Sequence, residues 1–172
     1  MANKQALREL QSRLAERLQA ARTQERGRAW LAVECGSHGF LFPLQEAGEI
    51  FPFAPAMQVP YTSRWFMGVA NLRGRLHGVV DLARFLGLAR GAAAAEPSRL
   101  IAFNAALDIN CALLVDRLAG LRSAEHLREE PGDRRSKPSF AGPSYVDAAG
   151  RRWQALMLAA LAGDEAFLKV AG

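Results

Sequence analysis

The chain is short of the residues from which most active sites are built. Among 172 residues there are two cysteines and three histidines. No histidine pair or cysteine pair sits at a metal-ligand spacing, so neither a metal nor a cofactor is expected. No glycine is followed by lysine, which removes the phosphate-cradling loop of nucleotide hydrolases. No Gly-x-Gly-x-x-Gly follows a strand-like run, which removes a dinucleotide site. Acidic residues are few in the apolar stretches, and no carboxylate pair is placed for acid–base work. Runs of about 18 apolar residues are also missing, so no membrane span is expected. The opening "MANKQALREL" is already charged and helical in character, unlike a secretory leader. Cys35 and Cys111 lie in apolar, strand-like surroundings, the setting of reduced thiols in a cytoplasm.

One cysteine invites a catalytic reading. Cys35 and His38 are three apart, but they straddle a predicted hairpin turn. A reactive thiolate needs an electropositive pocket, and nothing nearby supplies one. A buried strand cysteine beside a turn histidine fits the pattern better than a dyad.

What is present suits one soluble unit: half of the residues are hydrophobic and 23% are charged. The net charge of +5 is unevenly placed. Residues 1–28 carry seven basic and three acidic groups, a balance of +4, and the remainder is close to neutral. Electrostatic arguments rest on such local patches, and the near-neutral body speaks against a nucleic-acid-binding barrel. Arginine far outnumbers lysine, for which a GC-rich coding sequence is the simplest cause. Within residues 4–25, Leu7, Leu10, Leu14 and Leu18 recur at helical spacing and form a narrow stripe. Three packings fit it: against the same chain, against a second copy, or against a partner, since a narrow stripe is also a coiled-coil seam. Gly27 closes the segment. The expected organisation is therefore an amphipathic helix over 1–28 and a globular domain over 29–172.

From Trp30 the texture changes to short strands. "WLAVECG" and "HGFLFPL" meet at Gly36 and Ser37, a hairpin signal. "QEAGEIF" is too short and glycine-broken for a helix, and "PFAPAMQVP" reads as an irregular extended loop. "RWFMGVANL" and "RLHGVV" are strands about an Asn-Leu-Arg-Gly corner, with Val69, Leu72 and Val79 expected in the core. Asp81 can cap the short helix "LARFL", with Val80 and Phe85 as a hydrophobic staple and Gly87 as its left-handed stop. Residues 89–98 read as a variable surface connection. "RLIAFNA" and "NCALLVDRLAGL" supply further strands, 128–138 reads as a solvated, mobile loop, and "SYVDAAGRRWQALMLAAL" as a hairpin turning near Ala149-Gly150. Asp164 caps a last short helix at "DEAFLKV". Many short strands with few helices predict small antiparallel barrels rather than a parallel sheet.

The stretch "FMGVANLRGRLHGVVDLARFLG" resembles the CheW-like domain family, the coupling adaptors of bacterial chemosensory arrays. The resemblance rests on Gly68, Val69, Asn71, Leu72, Arg73, Gly74, Val79, Val80, Asp81, Leu82, Leu86 and Gly87. Upstream, Glu49 and Ile50 match the family's Glu-Ile element; downstream, Leu114, Val115, Asp116 and Leu121 match its second strand pair. The likeness spans about residues 29–170, and the closing segment is more similar to the pilus-associated, PilI-like branch of twitching-motility adaptors. Gly78 stands where the family usually has proline, and a glycine there is expected to loosen the strand.

The resemblance implies a mainly β fold of two intertwined five-stranded barrels of the Src-homology-3 (SH3-like) type, with short helices and the N-terminal amphipathic helix. It implies no enzyme activity. It implies two partners: the regulatory domain of a CheA-type histidine kinase, and the cytoplasmic tip of a methyl-accepting chemoreceptor. The expected location is the cytoplasm, with recruitment to membrane-associated arrays. The expected partner-binding residues are Glu49, Asn71, Arg73, Gly74, Trp65 and His77, with a Glu49–Arg73 ion pair fixing the corner. Trp65 also fits a core position. Self-association through the N-terminal helix stays open. The competing functional reading is a small-barrel nucleic-acid-binding protein using that basic helix.

Overall fold

The structure, a computed structural model, describes residues 2–27, 29–89, 98–132 and 135–172, and the side chains of the first helix from 3 to 19. That helix, α1, runs Ala2–Gly27. Strands β1 (Ala29–Cys35), β2 (His38–Pro43) and β3 (Ala47–Pro52) follow, then β4 (Phe66–Leu72) and β5 (Arg75–Asp81). Helix α2 (Leu82–Phe85) leads to β6 (Arg99–Phe103), β7 (Cys111–Val115), β8 (Arg117–Ser123) and β9 (Leu127–Glu130). The chain closes with β10 (Ala141–Asp147), β11 (Arg152–Leu156), α3 (Leu158–Ala162) and α4 (Glu165–Leu168). Most of the connection expected at 89–98 lies outside the described residues.

Two sheets share the strands. One has the order β8-β1-β2-β11-β10-β9, the other β3-β6-β7-β5-β4. The second is inserted into the first: the chain leaves after β2 and returns at Asp116. There Asp116 N–H donates to the Glu34 carbonyl, and Gly36 N–H donates to the Asp116 carboxylate. The two-barrel expectation is met with six strands in one sheet. The sixth is β9, in a segment expected to be a solvated loop. Residues 128–130 instead pair with β10, and Lys137 beyond them bonds Ser144 and Gln154.

Alternation along the strands sorts the core into three parts. Trp30 and Ala32 of β1 join Leu41, Trp153 and Ala155 on the inner face of the six-stranded sheet. Leu100 and Ala102 of β6, with Ala112 and Leu114 of β7, do the same in the five-stranded sheet. Their neighbours Leu31, Val33, Ile101, Phe103, Leu113 and Val115 face the other way, into the largest cluster. That cluster draws on both sheets and on α2, α3 and α4, so it lies between the sheets. Strands buried on both faces read as continuous apolar runs, which is why "RLIAF" and "CALLV" show no polar alternation.

Local signals hold up well. Gly36 and Ser37 both have positive φ, the type I′ geometry that suits a two-residue hairpin. The Asp81 carboxylate accepts from Arg84 N–H and Asp164 from Phe167 N–H. Gly87 lies at φ +71°, with Leu88 N–H returning to the Ala83 carbonyl. Val80 and Phe85 belong to the same apolar cluster. Three expectations change. The run "LMLAAL" is not strand throughout: β11 stops at Leu156 and α3 begins at Leu158. Val69 is half-buried, because strand alternation puts it on the face of β4 that carries exposed Asn71, away from buried Ala70 and Leu72, while Leu72 and Val79 are core. Gly78 does not loosen β5. Its N–H donates to the Asn110 carbonyl, a bond proline could not make, and Phe66 covers its open face.

The candidate partner-binding corner

β3 and β4 are opposite edges of the five-stranded sheet. The loop that follows β3 reaches across to β4. Met57, in the proline loop after β3, exchanges both backbone hydrogen bonds with Val69 of β4, at 2.8 and 2.9 Å. Gly68 makes this possible. It lies at φ +126°, and a Cβ there would stand 2.0 Å from the Met57 carbonyl oxygen. Gly48 does similar work on the other edge. A Cβ there would come within 2.8 Å of the Phe103 carbonyl oxygen, so glycine lets β3 bulge close over β6 and aim Glu49 at the corner.

The corner is a two-residue turn joining Leu72 to Arg75. Arg73 has φ +52° and Gly74 φ +78°. This turn type favours Asn-Gly, and an arginine in its first position sits in the left-handed region at a cost of about 1–2 kcal/mol. The Asn71 side-chain oxygen accepts from Gly74 N–H at 2.8 Å and braces the turn. Arg73 Nη1 meets Glu49 Oε1 at 2.7 Å, so the expected ion pair forms. Both side chains are well exposed, at 77% and 42%. Such a pair is worth about 0–1 kcal/mol, which does not outweigh the backbone cost of its arginine.

Beside the pair is an open hollow of about 370 Å³, lined by Glu49, Phe51, Leu72, Arg73 and His77 among others. The His77 ring lies 6.2 Å from that of Phe51, and its Nδ1 is 3.2 Å from the Arg75 carbonyl oxygen. Two apolar side chains stand out in water near the turn: Leu76, 64% exposed and directly across the hairpin from Asn71, and Ile50, next to Glu49. Leu76 carries no signal in the sequence, because a leucine in a strand reads as core.

The structure brings together Glu49, Asn71, Arg73, Gly74 and His77. Trp65 stands apart. It precedes β4, and its carbonyl accepts from Asp81 N–H, so it lies at the opposite end of the hairpin from Arg73. Its ring packs edge-on against Phe85 at 5.0 Å and parallel to Phe167 at 6.1 Å, in the cluster between the sheets. Cys35 is fully buried at the end of β1, and His38 Nδ1 lies 2.8 Å from the Gly36 carbonyl oxygen within the turn. Burial pushes the Cys111 thiol up to about 12, far from thiolate chemistry. Among the described residues no group of three or more His, Cys, Asp or Glu could hold a metal ion. No helix among them is long and apolar enough to cross a membrane.

A second polar cluster was not legible in the sequence. Glu34 of β1 meets Arg151 at 2.6 Å and Arg117 at 3.1 Å. Arg151 lies 4.4 Å over the Trp153 ring, and the indole N–H donates to Asp147 at 3.0 Å. The Arg151 hydrogen bond, helped by Arg117, holds the Glu34 carboxyl below its ordinary value of 4.5, against the opposing effect of burial. The Trp153 N–H likewise holds Asp147 below 3.8. Glu34 therefore takes up its proton less readily folded than unfolded. Its contribution to stability is complete above 4.5 and is lost as the pH falls through its lowered folded value. Thermal melts across the acid range should show Glu34→Gln to be less stable than wild type near neutrality, with the gap closing on acidification. A gap that stayed constant with pH would contradict this.

The domain thus carries an exposed, braced arginine corner at the tip of the β4–β5 hairpin of its five-stranded sheet. The CheW-like domain family model matches residues 29–165, and the chain belongs to that family. It is 32% identical over 101 residues to Protein PilI of Pseudomonas aeruginosa, an alignment covering 58% of this chain and 56% of that protein. The chain thus matches little more than half the length of that relative. It superposes on the scaffolding protein TtCheW from Thermoanaerobacter tengcongensis with a TM-score of 0.64 at 16% identity, covering 76% of this chain and 88% of that one.

Proposed function

We propose that the chain is a non-catalytic signalling adaptor. It couples chemoreceptors to the regulatory domain of a CheA-type histidine kinase in a bacterial chemosensory system. The domain over 29–172 does the coupling, in the cytoplasm and on membrane-associated arrays. The likeness to Protein PilI favours a pilus-linked output over a flagellar one. The docking set is Glu49, Asn71, Arg73, Gly74 and His77, with Leu76 and Ile50 as apolar neighbours.

The observation that carries this reading is the conformation of Arg73. An exposed arginine in left-handed backbone costs more than its ion pair returns. Strain of this kind is kept where a site uses the side chain. Arginine is also enriched among residues that dominate protein interfaces.

The test separates docking from folding. Arg73→Gly removes the guanidinium and relieves the backbone. Its stability should be unchanged or raised by up to about 1 kcal/mol. In a reconstitution of kinase and receptor fragments, wild-type chain should bring phosphotransfer under receptor control, and Arg73→Gly should not. Full coupling by Arg73→Gly would show that the corner serves the fold alone. Receptor control that is the same without the chain would sink the adaptor reading.

A further inference from the structure

Helix α1 lies outside the residues matched by the family model and is the one strongly basic segment of the chain. Every described side chain from Asn3 to Gln19 is exposed. Leu7, Leu10, Leu14 and Leu18 are 52–63% exposed, so the stripe does not pack on its own domain. At about 100° per residue, these four leucines fall within roughly 80° of the helix circumference. Lys4 and Arg8 border the stripe on one side, and Arg13 and Arg17 border it on the other. Glu9 and Glu16 lie on the far face. Over the described side chains, residues 3–19, the positive charge therefore frames the apolar seam, and the negative charge is turned away from it.

From this arrangement we infer that α1 docks an acidic amphipathic helix of another protein, one whose apolar seam is bordered by glutamate or aspartate. The width of the stripe selects a helix. Four leucines and no aromatic make a narrow coiled-coil seam. A helix lying in a lipid surface needs a broader apolar face, usually with aromatics. The borders select the charge. In a pair of copies, Arg13 and Arg17 would face further cations across the seam, which disfavours self-association. An acidic partner turns the same borders into interhelical ion pairs.

The probe is a synthetic helix with leucine along its seam and glutamate on both borders, compared with a lysine-bordered twin. Mixed with the full chain at low salt, the glutamate peptide should bind and gain helicity in circular dichroism, and salt should weaken it. The lysine peptide should not bind. Leu10→Asp with Leu14→Asp should abolish binding. Arg13→Glu with Arg17→Glu should weaken it by about tenfold or more and favour the lysine peptide instead. Both double variants should keep the thermal transition of the domain, because the altered side chains are exposed. Four results would each overturn the inference: no peptide bound, both peptides bound equally, binding only to vesicles containing anionic lipid, or a leucine-dependent dimer of the chain alone by sedimentation.

Discussion

Replacing Gly68 with alanine should destabilise the protein by about 3–5 kcal/mol, a large share of the roughly 5–15 kcal/mol that holds a domain together. Two effects combine. At φ +126° any L side chain is strained, by about 1–3 kcal/mol. The new Cβ would also stand 2.0 Å from the Met57 carbonyl oxygen. That neighbour is backbone, so no rotamer change can relieve the clash. The proline loop must lift off β4 and give up the paired Met57–Val69 hydrogen bonds, each worth about 1 kcal/mol net. Urea denaturation of the variant would measure the loss. A cost under about 1 kcal/mol would mean that the loop does not close the five-stranded sheet in this way.

Trp153→Ala should cost about 3–5 kcal/mol, the range for emptying a buried aromatic site. The ring is 1% exposed, lies under the Arg151 guanidinium and donates its N–H to Asp147. Gly39 belongs to the same packing: a Cβ there would come within 2.6 Å of the ring. The two positions must therefore be coupled. Gly39→Ala should destabilise the wild-type protein by about 1–3 kcal/mol through overpacking, and should be close to neutral once Trp153 is alanine. Additive losses in that double-variant cycle would contradict the packing described.

How far the sequence discloses this protein depends on how local each signal is. Gly36-Ser37, the Asp81 and Asp164 caps and the Gly87 stop involve neighbours within a few residues, and all are readable from the chain. β9 is hidden because "LREE" is a short, charged edge strand, and charge on an edge looks like a loop. α3 is hidden because a five-residue apolar segment has too few turns to show a helical period. The corner divides the same way. Gly74 and Asn71 announce a turn, but the Glu49–Arg73 pair is foreseen only through family resemblance. The left-handed strain at Arg73 has no sequence signature, and the exposure of Leu76 is visible only in the fold. The Glu34–Arg151 contact joins residues 117 positions apart, beyond any local rule.

The corner is the centre of the functional account. Its most direct test is calorimetric titration with the regulatory domain of the CheA-type kinase from the same organism, for wild type and Arg73→Ala in parallel with their unfolding curves. Wild type should bind with micromolar or tighter affinity. Arg73→Ala should bind at least about tenfold more weakly while unfolding within about 1 kcal/mol of wild type. An Arg73→Ala protein that melts early yet binds normally would contradict the account, as would a wild-type chain that ignores the kinase domain and binds nucleic acid in a salt-dependent way.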